Sequence, residues 1–210
     1  MRFSTIYIDP PWKFDVWDRD TGGGRSPEAH YPTMTNERLL ALPLQPVMER
    51  DCAVFMWATW ATLPFALACG TAWGLEYKTC AFLWAKTTKR TADMFVPSVA
   101  DDANWHIGMG YYSRANTEPV LLFTKGSPRR KNKGVRQLLV APIEAHSRKP
   151  DETYTRIERL MDTPDSYLEV FARRTRPGWV SLGNEISGRD IYDDLTIVAQ
   201  HPSASPLTIV

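Results

Sequence analysis

The stretch Phe3-Ser4-Thr5-Ile6-Tyr7-Ile8-Asp9-Pro10-Pro11-Trp12 decides how the rest of the chain reads. Its first six residues form a short, uncharged run rich in aromatic and β-branched side chains, the composition of a strand buried on both faces of a parallel sheet. Two prolines then end the run. Each fixes its φ and lacks an N–H, and Pro11 biases Pro10 toward extended backbone. The strand therefore delivers Asp9 to a sheet edge on a stiff turn that offers a carboxylate, carbonyl acceptors and a flat aromatic face.

Those groups suit alkylation of an exocyclic amine on a nucleobase. The amine lone pair of adenine is delocalised into the ring, so the nitrogen is a poor nucleophile until something localises it. The Asp9 carboxylate and the Pro10 carbonyl can each accept one N–H, drawing the nitrogen toward sp³ geometry, while Trp12 stacks on the base. Aligned acceptors work through orientation and electrostatic preorganisation, without a covalent intermediate. Taken alone, the quartet reads equally well as a proline-stiffened strand-to-loop turn with a packed tryptophan.

The 210 residues suffice for one α/β domain. The reading places it over residues 1–192, with a flexible tail over 193–210, where the composition turns polar and Pro202 to Pro206 has a disordered character. A formal net charge of +1 gives no long-range pull on a polyanion, so any such partner must meet a local patch. Cys52, Cys69 and Cys80 are odd in number, lack C-x-x-C spacing and lie in apolar stretches, as reduced core thiols do. His106 and His146 lack partners at metal-ligand spacing, so no metal is expected. With no signal-peptide pattern and no apolar stretch of spanning length, a cytoplasmic protein without membrane contact is expected.

Along the chain, residues 13 to 34 read as a long polar loop over the site, with Gly22 to Gly24 as a hinge. Thr35 is a plausible N-cap for a short helix. Residues 53–58 and 77–86 read as strands flanking a helix over 62–73, with Pro64 in its first turn and Gly74 at its end. Such strand-helix-strand units build parallel sheets. Further strands are expected at 120–123, 137–140, 167–172 and 179–182, and a helix from Pro150 to Met161. Between two of these strands, Lys125, Arg129, Arg130, Lys131, Lys133 and Arg136 bring six cations and no acid into twelve residues. This is the best phosphate-binding candidate in the chain.

Asp9-Pro10-Pro11-Trp12 resembles the catalytic motif of the N6-adenine methyltransferases related to the catalytic subunit that methylates eukaryotic mRNA, a family with bacterial and phage members. The likeness continues in order through Tyr31-Pro32-Thr33-Met34, Phe82 to Thr87, Asn116-Thr117-Glu118, Ser147 to Glu152, Ile157-Glu158-Arg159-Leu160, Glu169 to Arg173, Gly178-Trp179 and Leu182-Gly183-Asn184. The resemblance implies a permuted Rossmann-like methyltransferase fold, a mostly parallel doubly wound sheet with helices on both faces, and S-adenosylmethionine as cofactor. It makes Asp9, Pro10, Pro11 and Trp12 catalytic. Ile8, Asp9, Phe171 and Arg173 would line the cofactor, Lys149 would hold its carboxylate, and Asn184 and Glu185 would bond its nucleoside. Tyr31, Asn116 and Glu118 would border the substrate adenine, and Lys86, Arg129, Arg130 and Lys131 would contact phosphate. Ile8-Asp9 and Phe171-Ala172 are then expected as neighbouring strand tips. Larger relatives have a segment ahead of the catalytic strand that contributes to the cofactor's adenine-binding surface. Here residues 184–193, a homodimer or a partner subunit are expected to complete it.

The resemblance favours a DNA adenine methyltransferase, because compact members of the family resemble its prokaryotic and phage forms. An RNA adenosine methyltransferase is the nearest alternative, and a cytosine-N4 enzyme is disfavoured because its turn usually begins with Ser in place of Asp9. A catalytically silent nucleic-acid-binding scaffold of the same fold would be expected to lose the Asp-Pro-Pro-Trp turn and Lys149. This chain keeps both.

Overall fold

A computed structural model of the chain describes residues 1–13, 34–91, 100–108, 110, 112–145, 148–164 and 166–200. The expectations for Tyr31, the Gly22 to Gly24 hinge, His146, Ser147 and residues 201–210 lie outside them.

In chain order the elements are β1 (Phe3–Ile8), α1 (Asn36–Leu40), β2 (Met48–Trp57), α2 (Leu63–Ala72), β3 (Glu76–Thr87), β4 (Thr117–Lys125), β5 (Leu138–Pro142), α3 (Glu152–Met161), β6 (Tyr167–Val170), β7 (Trp179–Leu182), α4 (Asn184–Ser187) and α5 (Ile191–Gln200). The strands form one sheet of seven in the order β5-β3-β4-β2-β1-β6-β7. The pairs β1–β2, β1–β6, β3–β5 and β6–β7 are parallel. β4 runs the other way: Lys86 N, near the end of β3, donates to Asn116 O just ahead of β4, at 2.7 Å. This mostly parallel α/β sheet is the Rossmann-like architecture that the sequence implied.

The chain divides into two compact units, one of residues 1–79, 121–128 and 163–210, the other of residues 80–120 and 129–162. In the first, β1 lies between β2 and β6, and alternate side chains sort onto two faces. Ile6, Ile8, Val54, Met56, Leu168, Val170, Val180 and Leu182 join Leu39 of α1, Ala66 and Cys69 of α2, and Leu195 and Val198 of α5 in one buried cluster. Opposite them lies an aromatic layer in which Tyr167 stacks on Trp179 at 4.7 Å and Tyr7 meets Trp179 edge-on at 6.1 Å. The Trp57 indole N–H donates to the Tyr7 hydroxyl in the same layer.

Thr35 does cap α1, its hydroxyl accepting from Arg38 N at 3.3 Å. α2 carries Pro64 in its first turn and is followed by Gly74 at φ +73°. Two expectations need correction. The strand expected to run to Ala172 stops at Val170, because Phe171 takes a left-handed φ of +64° that no strand accommodates. The tail expected to be flexible from 193 is helical to Gln200: Leu195 and Val198 bury one face of α5 in the core, and Asp194 on the same face is buried with its carboxylate accepting from Ser187 Oγ and Arg189 Nε.

In the second unit α3 follows Pro150 as expected, buries Thr153, Tyr154, Ile157 and Met161, and ends at Asp162 in the left-handed region at φ +47°. Beyond β3, the described residues form short 3₁₀ turns at Lys89–Thr91 and Asp102–Asn104. No helix among the described residues is long and apolar enough to cross a membrane.

Candidate functional site

The turn after β1 is built as its prolines dictate. Asp9 is half-buried, Pro10 buried and Pro11 half-buried. Trp12 N donates to the Pro10 carbonyl at 2.8 Å, and Met34 N to the Pro11 carbonyl at 3.1 Å. A carbonyl oxygen has two lone pairs, so Pro10 keeps acceptor capacity for a further N–H. Trp12 itself departs from expectation. Its indole is 4% exposed, donates to the Trp57 carbonyl at 3.2 Å and meets Phe65 of α2 edge-on at 5.9 Å. It anchors the turn in the core, and its face is not the base-stacking surface that the sequence suggested.

The expected neighbouring strand tips are present. Ile8 is the register partner of Val170, and Val170 of Leu182, so Asp9, Phe171 and Gly183 follow adjacent parallel strands at one level. Gly183 is required there because a Cβ at that position would lie 2.3 Å from the Ala172 carbonyl oxygen. The bond from Ala172 N to Leu182 O, 2.8 Å, closes the two loops onto each other. Phe171 is half-buried, whereas Arg173, Asn184 and Glu185 are exposed. Arg173 Nε donates to Glu185 Oε1 at 2.6 Å, so two of the expected cofactor residues are held together. Asn184 begins α4, directly after Gly183.

Lys86, Glu118 and Lys149 were each singled out in the sequence for a separate role, and the second unit joins them in one cluster. The Glu118 carboxylate lies 2.6 Å from Lys86 Nζ and 3.1 Å from Lys149 Nζ, with side-chain exposures of 10%, 22% and 12%. Burial alone would raise the pKa of Glu118, but the charges of Lys149 and then Lys86 outweigh it and hold the carboxyl below its usual range. Lys86, expected as a phosphate contact, is thus engaged as an ion-pair partner, and its ammonium also lies over the Trp84 ring at 4.9 Å. Asn116 is half-buried, its carbonyl taken by Lys86 N. Desolvation, and next the Lys86 charge, depress the pKa of nearby His106. The sequence hid this cluster because its members lie on three separate segments. The only signal was that each is a charge inside or beside an apolar run.

Arg129, Arg130 and Lys131 are exposed, as are Lys133 and Arg136. Their segment is tied down by its backbone: Lys131 N donates to Leu160 O, at the end of α3, at 2.8 Å. The cation heads therefore stand on an anchored loop. Burial pushes the Cys52 and Cys69 thiols up to about 12, which disqualifies them as nucleophiles, and Cys80 is half-buried. Among the described residues no cluster of His, Cys, Asp and Glu could hold a metal ion.

Fold and strand-tip turn together define a Rossmann-like methyltransferase domain. The chain belongs to the MT-A70 family, whose model matches residues 3–185. It is similar to the type II methyltransferase M.MunI of Mycoplasma sp, 31% identical over 206 residues that cover 90% of this chain and 80% of that protein. It is also similar to the human N(6)-adenosine-methyltransferase catalytic subunit METTL3, 27% identical over 212 residues, covering all of this chain and 32% of METTL3. A Drosophila melanogaster N(6)-adenosine-methyltransferase MT-A70-like protein is 28% identical over 195 residues, 91% of this chain and 28% of its own length. The chain thus spans four-fifths of M.MunI and about a third of the METTL3-type relatives.

Proposed function

We propose that this chain transfers a methyl group from S-adenosylmethionine to the N6 amine of adenine in DNA. The observation that carries the reading is the turn itself: a half-buried carboxylate and a carbonyl with a spare lone pair, held side by side at the tip of the strand flanked by β2 and β6. In doubly wound sheets, ligands bind at the carboxyl ends of the strands where the order reverses. The strand tips suit a ligand: Gly183 lets two backbones approach, and Phe171 is turned out of its strand.

S-adenosylmethionine, when bound, supplies an electrophilic methyl group. Asp9 and Pro10 accept the two N–H groups of the target amine, localise its lone pair and fix its direction. Such acceptors act by preorganisation and need no reorganisation during reaction. Trp12 and Pro11 are positioning residues that keep these acceptors rigid. Phe171 and Arg173, with Asn184 and Glu185, form the cofactor's nucleoside contacts, and Lys149 its carboxylate contact. Arg129, Arg130 and Lys131 hold the phosphate backbone.

DNA is chosen over RNA on the likeness to the type II methyltransferase M.MunI, 31% identical against 27% for METTL3. The test is methyl transfer from labelled cofactor to DNA and RNA pools, followed by nucleoside analysis. Label in N6-methyldeoxyadenosine is expected. Label confined to N6-methyladenosine of RNA would transfer the same chemistry to the other polymer, and label in neither would overturn the reading.

A further inference from the structure

Trp12 leaves the expected base-stacking role open, and another indole stands near it. Trp60 is 49% exposed and lies in the loop that leaves the carboxyl end of β2. β1 and β2 are parallel, with Ile8 opposite Met56, so this loop emerges beside the turn that carries Asp9 and Pro10. It is also stiff. Thr59 N donates to Thr62 Oγ1 at 2.9 Å, Thr62 N donates to Thr59 O at 3.1 Å, and the two hydroxyls lie 3.1 Å apart. Thr62 then leads into α2. Trp57, three residues earlier, is fully buried. The chain therefore spends one indole on the core and presents the next at the strand tips, on a turn already ordered.

Resting on the function proposed above, we infer that Trp60 stacks on a nucleobase of the substrate strand next to the adenine whose amine Asp9 and Pro10 engage. A rigid aromatic face beside amine acceptors is suited to a flat, π-rich ligand. Every base has such a face, so the contact adds affinity without adding sequence preference. It also holds the strand once the target adenine has left its stack.

The test uses a fluorophore-labelled single-stranded DNA oligonucleotide that the wild-type chain methylates, and the same oligonucleotide with each flanking base replaced in turn by an abasic unit. Trp60→Ala should weaken binding to the intact strand by about tenfold or more. Trp60→Phe should restore most of it. Removing one particular flanking base should weaken the wild type and abolish the difference between wild type and Trp60→Ala. Cofactor affinity and the thermal midpoint should not move. Equal binding by wild type and Trp60→Ala, or a loss that persists on every abasic strand, overturns the inference while the methyltransferase reading stands. A change in sedimentation of Trp60→Ala, with DNA affinity kept, would show that a second copy of the chain covers the indole and likewise overturns it. A wild type that methylates no DNA overturns the inference together with the reading on which it rests.

Discussion

Ile8 of β1 and Val170 of β6 are direct partners in the parallel ladder, so Asp9 and Phe171 leave adjacent strands at the same level although they lie far apart in sequence. The strand on the other side of β1 is β2, and the chain order reverses at this point in the sheet. Loops leaving both neighbours of the reversal are where such folds place ligands. Here those loops carry the proposed amine acceptors and the proposed cofactor contacts.

Phe171 holds a φ of +64°, which costs a side-chain-bearing residue about 1–2 kcal/mol and glycine little. Phe171→Gly and Phe171→Ala both remove the ring, so both should weaken cofactor binding measured by calorimetry. In urea denaturation the glycine variant should be the more stable, by about 1 kcal/mol. An alanine variant as stable as the glycine one would show that the backbone does not need the left-handed conformation.

The fold was legible because β1 to β3 and α2 carry strong local signals, namely uncharged apolar runs, Pro64 near a helix start and Gly74 after its end. The turn at Asp9 was legible for the same reason, since two prolines leave the backbone few choices. What was hidden depends on contacts distant in sequence. Trp12 looks the same in sequence whether its indole faces a ligand or the Trp57 carbonyl. Residues 193–200 seem polar until Leu195 and Val198 find the core. Likewise, Lys86, Glu118 and Lys149 become one cluster only when β3, β4 and the segment ahead of α3 are assembled.

Glu118→Gln removes the buried carboxylate that the half-buried ammonium groups of Lys86 and Lys149 share. Breaking a buried ion pair in this way costs about 3 kcal/mol. The pKa of Glu118 is lowered in the fold, so its contribution is complete above the unfolded carboxyl value and is lost as the pH falls through the folded value. The stability gap between wild type and Glu118→Gln should therefore be full at neutral pH and shrink in acid below about pH 4.5. Denaturation at a series of pH values checks this, and a gap that widens on acidification would contradict it.

Arg129, Arg130 and Lys131 stand exposed on an anchored loop, where charges act on a polyanion through counterion release. Neutralising all three should weaken binding to all sequences alike. The slope of log affinity against log salt should flatten by up to about 0.9 per lost contact on duplex DNA. Cofactor affinity should stay constant. A changed methylation site with an unchanged salt slope would show that the loop reads bases, and no change in either would make it a solvated face.

The account rests most heavily on Asp9 as an acceptor for the target amine. Single-turnover methyl transfer by Asp9→Ala at saturating cofactor, with cofactor affinity measured separately, tests this directly. The predicted result is a rate lowered on the order of a hundredfold or more while cofactor affinity is much less affected. A rate within a few-fold of wild type would contradict the assignment of Asp9 to the chemistry.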